Sequence, residues 1–284
     1  VLVLQNGAYS KRMVEMCDYH GIKYVVYEED YAHVPDPAIV EDVLKSDGNI
    51  THISMVHSET TSGLLNDIAA IGELAKKYNK KFIVDAMSSF GGVDINVPEL
   101  GITYLVSSAN KCIQGVPGFS FIIANVNDLK QTKGIARSLS LDLYAQWETM
   151  EKDGGKWRFT SPTHVVAAFS QALKELAAEG GITARNARYT ATNRALRKGM
   201  EELGFKAYID EAHQGPIITT FFYPENCKFT FAKMYAYLKD HGYVIYPGKL
   251  TDAETFRLGN IGEIYMDDVE KILGIFKDFV SAEN

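Results

Sequence analysis

Ser107-Ser108-Ala109-Asn110-Lys111-Cys112-Ile113-Gln114-Gly115-Val116-Pro117-Gly118 follows the apolar run Ile102-Thr103-Tyr104-Leu105-Val106. The run reads as a strand, and the lysine lies just beyond it in a polar turn closed by glycines and proline. Burial at such a place disfavours an ammonium ion unless its amine is paired or used. The same loss of basicity makes a lysine a usable nucleophile toward carbonyl groups. Taken alone, Lys111 reads first as a surface lysine at the mouth of a sheet. The rest of the chain decides between the two.

Outward from this stretch, strand and helix patterns alternate. Residues 1–4 read as a strand, and residues 9–20 as a helix with Met13, Met16 and Cys17 on one face. Gly21 stops that helix, and residues 22–27 form the next strand. Asp36-Pro37 fits an N-cap with proline at the first helical position. Strands follow at 51–56, 81–84, 102–106 and 119–124, with a helix at 64–78. Nearly all-apolar strands separated by helices predict an α/β fold with a mostly parallel sheet covered on both faces. After about residue 125 the pattern changes. Helices are expected at 163–176, 182–203, 231–241 and 266–280, and strands at 217–222, 243–246 and 255–258. These predict a large domain over 1–180 and a smaller C-terminal α+β domain over 181–284.

The 284 residues carry a net charge of −7 without a basic stripe, which argues against a nucleic-acid partner. No apolar run approaches the length of a membrane span. Cys17, Cys112 and Cys227 are too scattered for a disulfide framework or a metal site, so a cytoplasmic location and no metal are expected.

In open parallel sheets, ligands bind beyond the carboxyl ends of the strands. Here those ends lead into Asn6-Gly7-Ala8-Tyr9, His57-Ser58-Glu59-Thr60-Thr61-Ser62-Gly63, Asp85 and Lys111. Asp85 is either a cap for the turn Ala86-Met87-Ser88 or a carboxylate aimed at a protonated ring nitrogen. With a lysine one βαβ step later, the second option is the arrangement that pyridoxal phosphate requires.

Asp85-Ala86-Met87-Ser88-Ser89-Phe90-Gly91-Gly92, Ser108 to Gly118, and His57 to Asn66 together resemble the fold-type-I pyridoxal-phosphate enzymes of the class V aminotransferase group. The resemblance extends over essentially the whole chain. Within the group, Gly155-Lys156-Trp157-Arg158-Phe159-Thr160-Ser161-Pro162-Thr163-His164 and Phe256-Arg257-Leu258-Gly259-Asn260-Ile261-Gly262 are most similar to the branch that transaminates 2-aminoethylphosphonate with pyruvate.

The resemblance implies a role for each matching residue. Lys111 is the lysine that binds the cofactor covalently and shuttles a proton, and Asp85 is the partner of the ring nitrogen. Thr60 serves the phenolic oxygen, Tyr9 lies over the ring, and Asn110 touches the phosphate. Arg257 grips the substrate carboxylate with its planar fork. Arg158 and Thr160 reach the cofactor phosphate of the other subunit in a homodimer with shared active sites. The expected products are phosphonoacetaldehyde and L-alanine.

The sequence departs from the group in two places. Val1 opens inside an apolar strand, and no Gly/Ser/Thr-rich turn for the cofactor phosphate is found. The N-terminal part is therefore expected to be missing from the sequence in hand; otherwise the chain binds the cofactor less tightly. Asp67 stands where the group often has proline, a change expected to be harmless. Two further readings remain: an alanine–glyoxylate or serine–pyruvate type aminotransferase, and a truncated, non-catalytic partner protein of the same fold.

Overall fold

The computed structural model describes residues 1–284 except 226, 249, 251–253 and 284. Short apolar segments pair side by side because their backbone groups need partners in a core without water. These are β1 (Leu2–Gln5), β2 (Val25–Glu28), β3 (His52–Val56), β6 (Lys81–Asp85), β7 (Tyr104–Ser108) and β8 (Ser120–Ala124). A two-strand ribbon, β4 (Ser58–Glu59) with β5 (Leu64–Leu65), leaves the end of β3. The main sheet has the order β2-β1-β3-β6-β7-β8, parallel throughout except for β8, which runs antiparallel to β7.

The chain moves from β1 outward to β2, then returns to the other side of β1 for β3 and continues to β6 and β7. The strand order thus reverses between β1 and β3, which opens a crevice at their carboxyl ends. In the register, Val56 pairs with Asp85 and Asp85 with Val106. At about 4.8 Å per strand, the exits of β1, β3, β6 and β7 form a row roughly 14 Å long.

Helix α1 (Ala8–Tyr19) follows β1, α2 (Pro37–Ser46) precedes β3, and α3 (Ile68–Lys77) precedes β6. Val40 and Leu44 of α2, and Ile68, Ile71 and Ala75 of α3, pack on Leu2, Leu4, Ile53, Phe82, Val84 and Leu105 of the sheet. Asp36 caps α2 as the sequence predicts, accepting from Ala38 N at 2.8 Å.

Beyond β8 come α4 (Val126–Lys130), α5 (Leu143–Lys152), α6 (Thr163–Glu179) and the long α7 (Gly181–Glu202). Gly180 and Gly181, at φ +110 and +77, make the sharp turn between α6 and α7. A second, antiparallel sheet has the order β10-β11-β9, formed by β9 (Ile218–Phe222), β10 (Tyr246–Pro247) and β11 (Thr255–Gly259). It packs with α7, α8 (Phe231–Asp240) and α9 (Met266–Glu283) around Phe205, Phe221, Phe256, Phe276 and Phe279. Phe205 meets Phe256 edge to face at 5.5 Å. Among the described residues, no helix is long and apolar enough to cross a membrane.

Some expected bounds shift. The predicted helix over 64–78 begins at Ile68, because Leu64 and Leu65 pair with Glu59 and Ser58. Asp67 is its N-cap, with one carboxylate oxygen accepting from Ala69 N and Ala70 N at 3.0 Å each. Its carboxylate thus does a job that proline could not. Helices α4 and α5 were not foreseen; Leu143, Trp147 and Met150 share one face of α5, but none of its residues is fully buried.

Asp67 is exposed, which makes its cap a clean target. Asp67→Ala is expected to cost about 1 kcal/mol of folding free energy. That is a fall of about 2–4 °C in Tm by thermal denaturation.

Candidate active site

The turn after β7 is held tightly. Gly115 N donates to Ala109 O and Gln114 N to Lys111 O, both at 2.8 Å. A Cβ on Gly115 would lie 2.7 Å from Ala109 O, so the turn closes only on glycine. Gln114 holds the left-handed region at φ +65. The Cys112 thiol donates to Ser88 O at 3.1 Å, which seats this turn on the one that follows β6. A Cβ on Gly92 would lie 2.5 Å from that sulfur, so the second glycine of the Gly91-Gly92 pair permits the contact. Lys111 is half-buried, and among the described residues its ammonium makes no hydrogen bond or ion pair. Asn110, beside it, is exposed.

Asp85 ends β6, half-buried. One carboxylate oxygen accepts from Met87 N at 2.8 Å, so the capping role read from sequence is real. Burial pushes its carboxyl above the usual range, against that hydrogen bond and the charges of Arg12 and Lys111. Asp85 therefore feels two cations without being hydrogen-bonded to either. A protonated ring nitrogen would relieve its desolvation.

At the crevice, Glu59 organises what lies around it. Its side chain is fully buried. The carboxylate accepts from Tyr9 N and Ser10 N at 3.2 Å and from Thr61 Oγ1 at 2.6 Å. Helix α1 has Gly7 at its N-cap and no capping side chain of its own, so Glu59 satisfies its first donors and complements its dipole. A Cβ on Gly7 would come within 2.2 Å of the Glu59 side chain. Burial raises the Glu59 carboxyl, while the hydrogen bonds from Thr61, Ser10 and Tyr9 oppose the rise. Sequence reasoning missed this residue. Its one signal was a helix start without a cap.

Glu59 thereby fixes Tyr9 on one side and Thr61, the neighbour of Thr60, on the other. The Arg12 guanidinium lies over the Tyr9 ring at 5.1 Å. Arg257 on β11 crosses from the second sheet, its Nη1 donating to Thr60 O at 3.0 Å and its Nε to Pro247 O at 3.3 Å. Arg257 is only 6% exposed, and burial lowers its basicity against the nearby phenols of Tyr9 and Tyr246. These interactions link Lys111, Asp85, Arg12, Tyr9, Arg257 and Thr60 into one cluster at the row of strand ends. Arg158 is not drawn into it: its Nη1 donates to Leu139 O at 2.6 Å and its guanidinium lies over Phe159. Thr160 is exposed.

The residues present fit pyridoxal phosphate. Among the described residues, Lys111 and the Asp85 carboxylate have no ion-pair partner, and the buried Ser108 hydroxyl, at the end of the lysine's strand, has no hydrogen-bond partner. A carboxylate and an amine on adjacent strand ends are the two groups that a fold-type-I pyridoxal-phosphate enzyme requires, and they point to that class.

Residues 1–250 match the family model described as aminotransferase class-V. The chain belongs to that family, and pyridoxal phosphate is its cofactor. The bifunctional phosphonoacetaldehyde hydrolase/aminoethylphosphonate transaminase of Clostridioides difficile is 56% identical over 99% of the chain. The 2-aminoethylphosphonate–pyruvate transaminases of Klebsiella pneumoniae and Lysinibacillus sphaericus are 55% and 52% identical over 96% and 100% of it. The chain spans 44% of the length of the first relative, and 74% and 77% of the other two. Among solved structures, pyridoxamine–pyruvate aminotransferase from Mesorhizobium loti superposes with a TM-score of 0.90 at 25% identity, over 99% of this chain and 73% of that one. Ureidoglycine–glyoxylate aminotransferase from Bacillus subtilis gives 0.88 at 22% identity, over 100% and 73%.

His57 lies at the same strand ends, 4% exposed, with its Nδ1 sharing a hydrogen bond with Ser89 Oγ at 2.9 Å. Burial pushes its pKa down to about 4 from an ordinary 6.5, against the charge of Asp67. The folded chain thus favours the neutral ring. Its contribution to stability is complete above the ordinary pKa and is lost as pH falls toward the folded one. His57→Gln is expected to narrow its stability gap to the parent by up to about 3 kcal/mol as pH falls from about 7 to about 4. Urea unfolding across that range measures the gap.

Proposed function

We propose that this site transfers the amino group of 2-aminoethylphosphonate to pyruvate, giving phosphonoacetaldehyde and L-alanine. The observation that carries the reaction class is Lys111, unpartnered among the described residues, on the strand end next to that of the desolvated Asp85. The choice of donor rests on 52–56% identity to relatives named for that amine.

Pyridoxal phosphate, when bound, supplies an aldehyde that takes the amine and a ring that accepts electrons. The chain's own groups do the rest. Lys111 holds the cofactor through its amine, then moves a proton to and from the carbon that bears the donor's nitrogen. Asp85 keeps the ring nitrogen protonated, as its desolvation in this cluster favours. Thr60 serves the phenolic oxygen, Tyr9 covers the ring, and Asn110 serves the phosphate. Glu59, bonded to Tyr9 N and to Thr61, holds the segments that carry Tyr9 and Thr60. Arg257 receives the anionic end of each substrate in turn, phosphonate from the donor and carboxylate from pyruvate. Its partial desolvation strengthens such a pair. Arg12, over Tyr9, adds positive charge to the same mouth.

The active unit in this reading is a cytoplasmic homodimer. In it, Arg158 and Thr160 turn toward the cofactor phosphate of the second copy. The chain divides into a cofactor domain over 1–180 and a smaller domain over 181–284.

In single-turnover reactions of the loaded protein, 2-aminoethylphosphonate should convert the cofactor much faster than L-serine does. Faster conversion by serine would favour the serine–pyruvate type of enzyme. No conversion by any amine, together with no borohydride-trapped label on Lys111, would sink the enzyme reading. Arg257→Lys should raise KM for donor and pyruvate about 10- to 100-fold, because a point charge replaces a two-pronged donor.

A further inference from the structure

The first half of α7 packs against the Lys111 turn. Two of its residues, four apart and therefore on one face, reach into the turn. Arg185, 1% exposed, donates from Nη1 to Cys112 O at 2.7 Å. Its other edge is held by Glu179 at 2.5 Å, the last residue of α6, which the Gly180-Gly181 turn brings alongside. Tyr189, fully buried, accepts from Gln114 Nε2 at 2.7 Å through its hydroxyl. The same hydroxyl accepts from Gly262 N at 3.2 Å, in the loop that follows the Arg257 strand. Arg188 lies over the Tyr189 ring at 4.9 Å, pairs with Glu179 at 2.8 Å and donates to Gly262 O at 2.7 Å.

We propose that Arg185 and Tyr189 are positioning residues: they fix the backbone on the C-terminal side of Lys111 and tie it to the segment that carries Arg257. Lys111 has a long, flexible side chain with no partner among the described residues, so the place of its amine is set by its Cα. The residue after it is held by its carbonyl and its thiol, and Gln114, in a left-handed conformation, is pinned by its amide. A fully buried arginine and tyrosine are expensive places to keep polar groups. Here each spends them on a backbone or amide group of the Lys111 turn. One phenolic oxygen serves both the lysine's turn and the substrate arginine's loop, so the two move together or not at all.

The inference rests on Lys111 being the covalent attachment point, and the test separates the two. The full chain, stripped of cofactor, is mixed with pyridoxal phosphate; samples are quenched with borohydride over time and label on Lys111 is counted by peptide mass analysis. Tyr189→Phe removes only the shared acceptor. Gln114→Asn keeps a residue that tolerates positive φ but shortens its reach, and it decides the matter if Tyr189→Phe does not fold. Both should load Lys111 about 10-fold more slowly or worse, and lose a similar factor in kcat. In Gln114→Asn, KM for the amine donor should stay within about twofold, because the Gly262 contact survives. Parent-like loading and kcat in the folded variants, whatever their Tm, overturn the inference alone. No label on Lys111 in the parent overturns the proposed function and this inference with it.

Discussion

The site depends on the parallel register of three strands. Asp85 pairs with Val56 on one side and Val106 on the other, so the exits of β3, β6 and β7 stand at one level. A one-residue slip of any of these strands would turn its buried side chains to the opposite face. The aspartate and the lysine's turn are therefore fixed relative to one another by backbone hydrogen bonds. No side-chain contact between them is needed, and the space between them is left for chemistry.

The loops that leave those strands approach more closely than ordinary side chains allow. Gly7 makes room for Glu59, Gly92 for Cys112 and Gly115 for Ala109. Around these contacts the protein buries charges with specific employment. Glu59 ends a helix that lacks its own cap, Arg185 and Glu179 brace the Lys111 turn, and Arg257 joins two sheets through the carbonyls of Thr60 and Pro247. Buried ion pairs are poor sources of stability but good at fixing geometry, and geometry is what a transamination site requires.

Much of this was legible beforehand. Apolar runs bounded by turn residues located every strand of the main sheet to within about three residues, because a short apolar run between turn signals has little else to be. Asp85 and Lys111 were legible as a pair because both follow strands, and the row of strand ends is where ligands bind. Glu59 was not. A lone glutamate in a Ser/Thr-rich loop looks solvated until the helix it caps is seen to start without a capping side chain. Helix α5 was missed although Leu143, Trp147 and Met150 stand at helical spacing, because that stripe is short and none of its residues is fully buried.

By itself, the sequence determined the alternation of strand and helix, the residues with the chemistry for a carbonyl cofactor, and the glycines at which the loops could meet. These are local properties, written in hydrophobic period and residue type. Tertiary structure alone decided which side chains share a site. Arg257 reaches Thr60 from far along the chain, and Tyr189 joins Gln114 to Gly262 across two segments that no periodicity connects. Such pairings follow from strand order and helix packing, in which distant segments compete for the same buried donors and acceptors. That competition is settled only when the whole chain has folded.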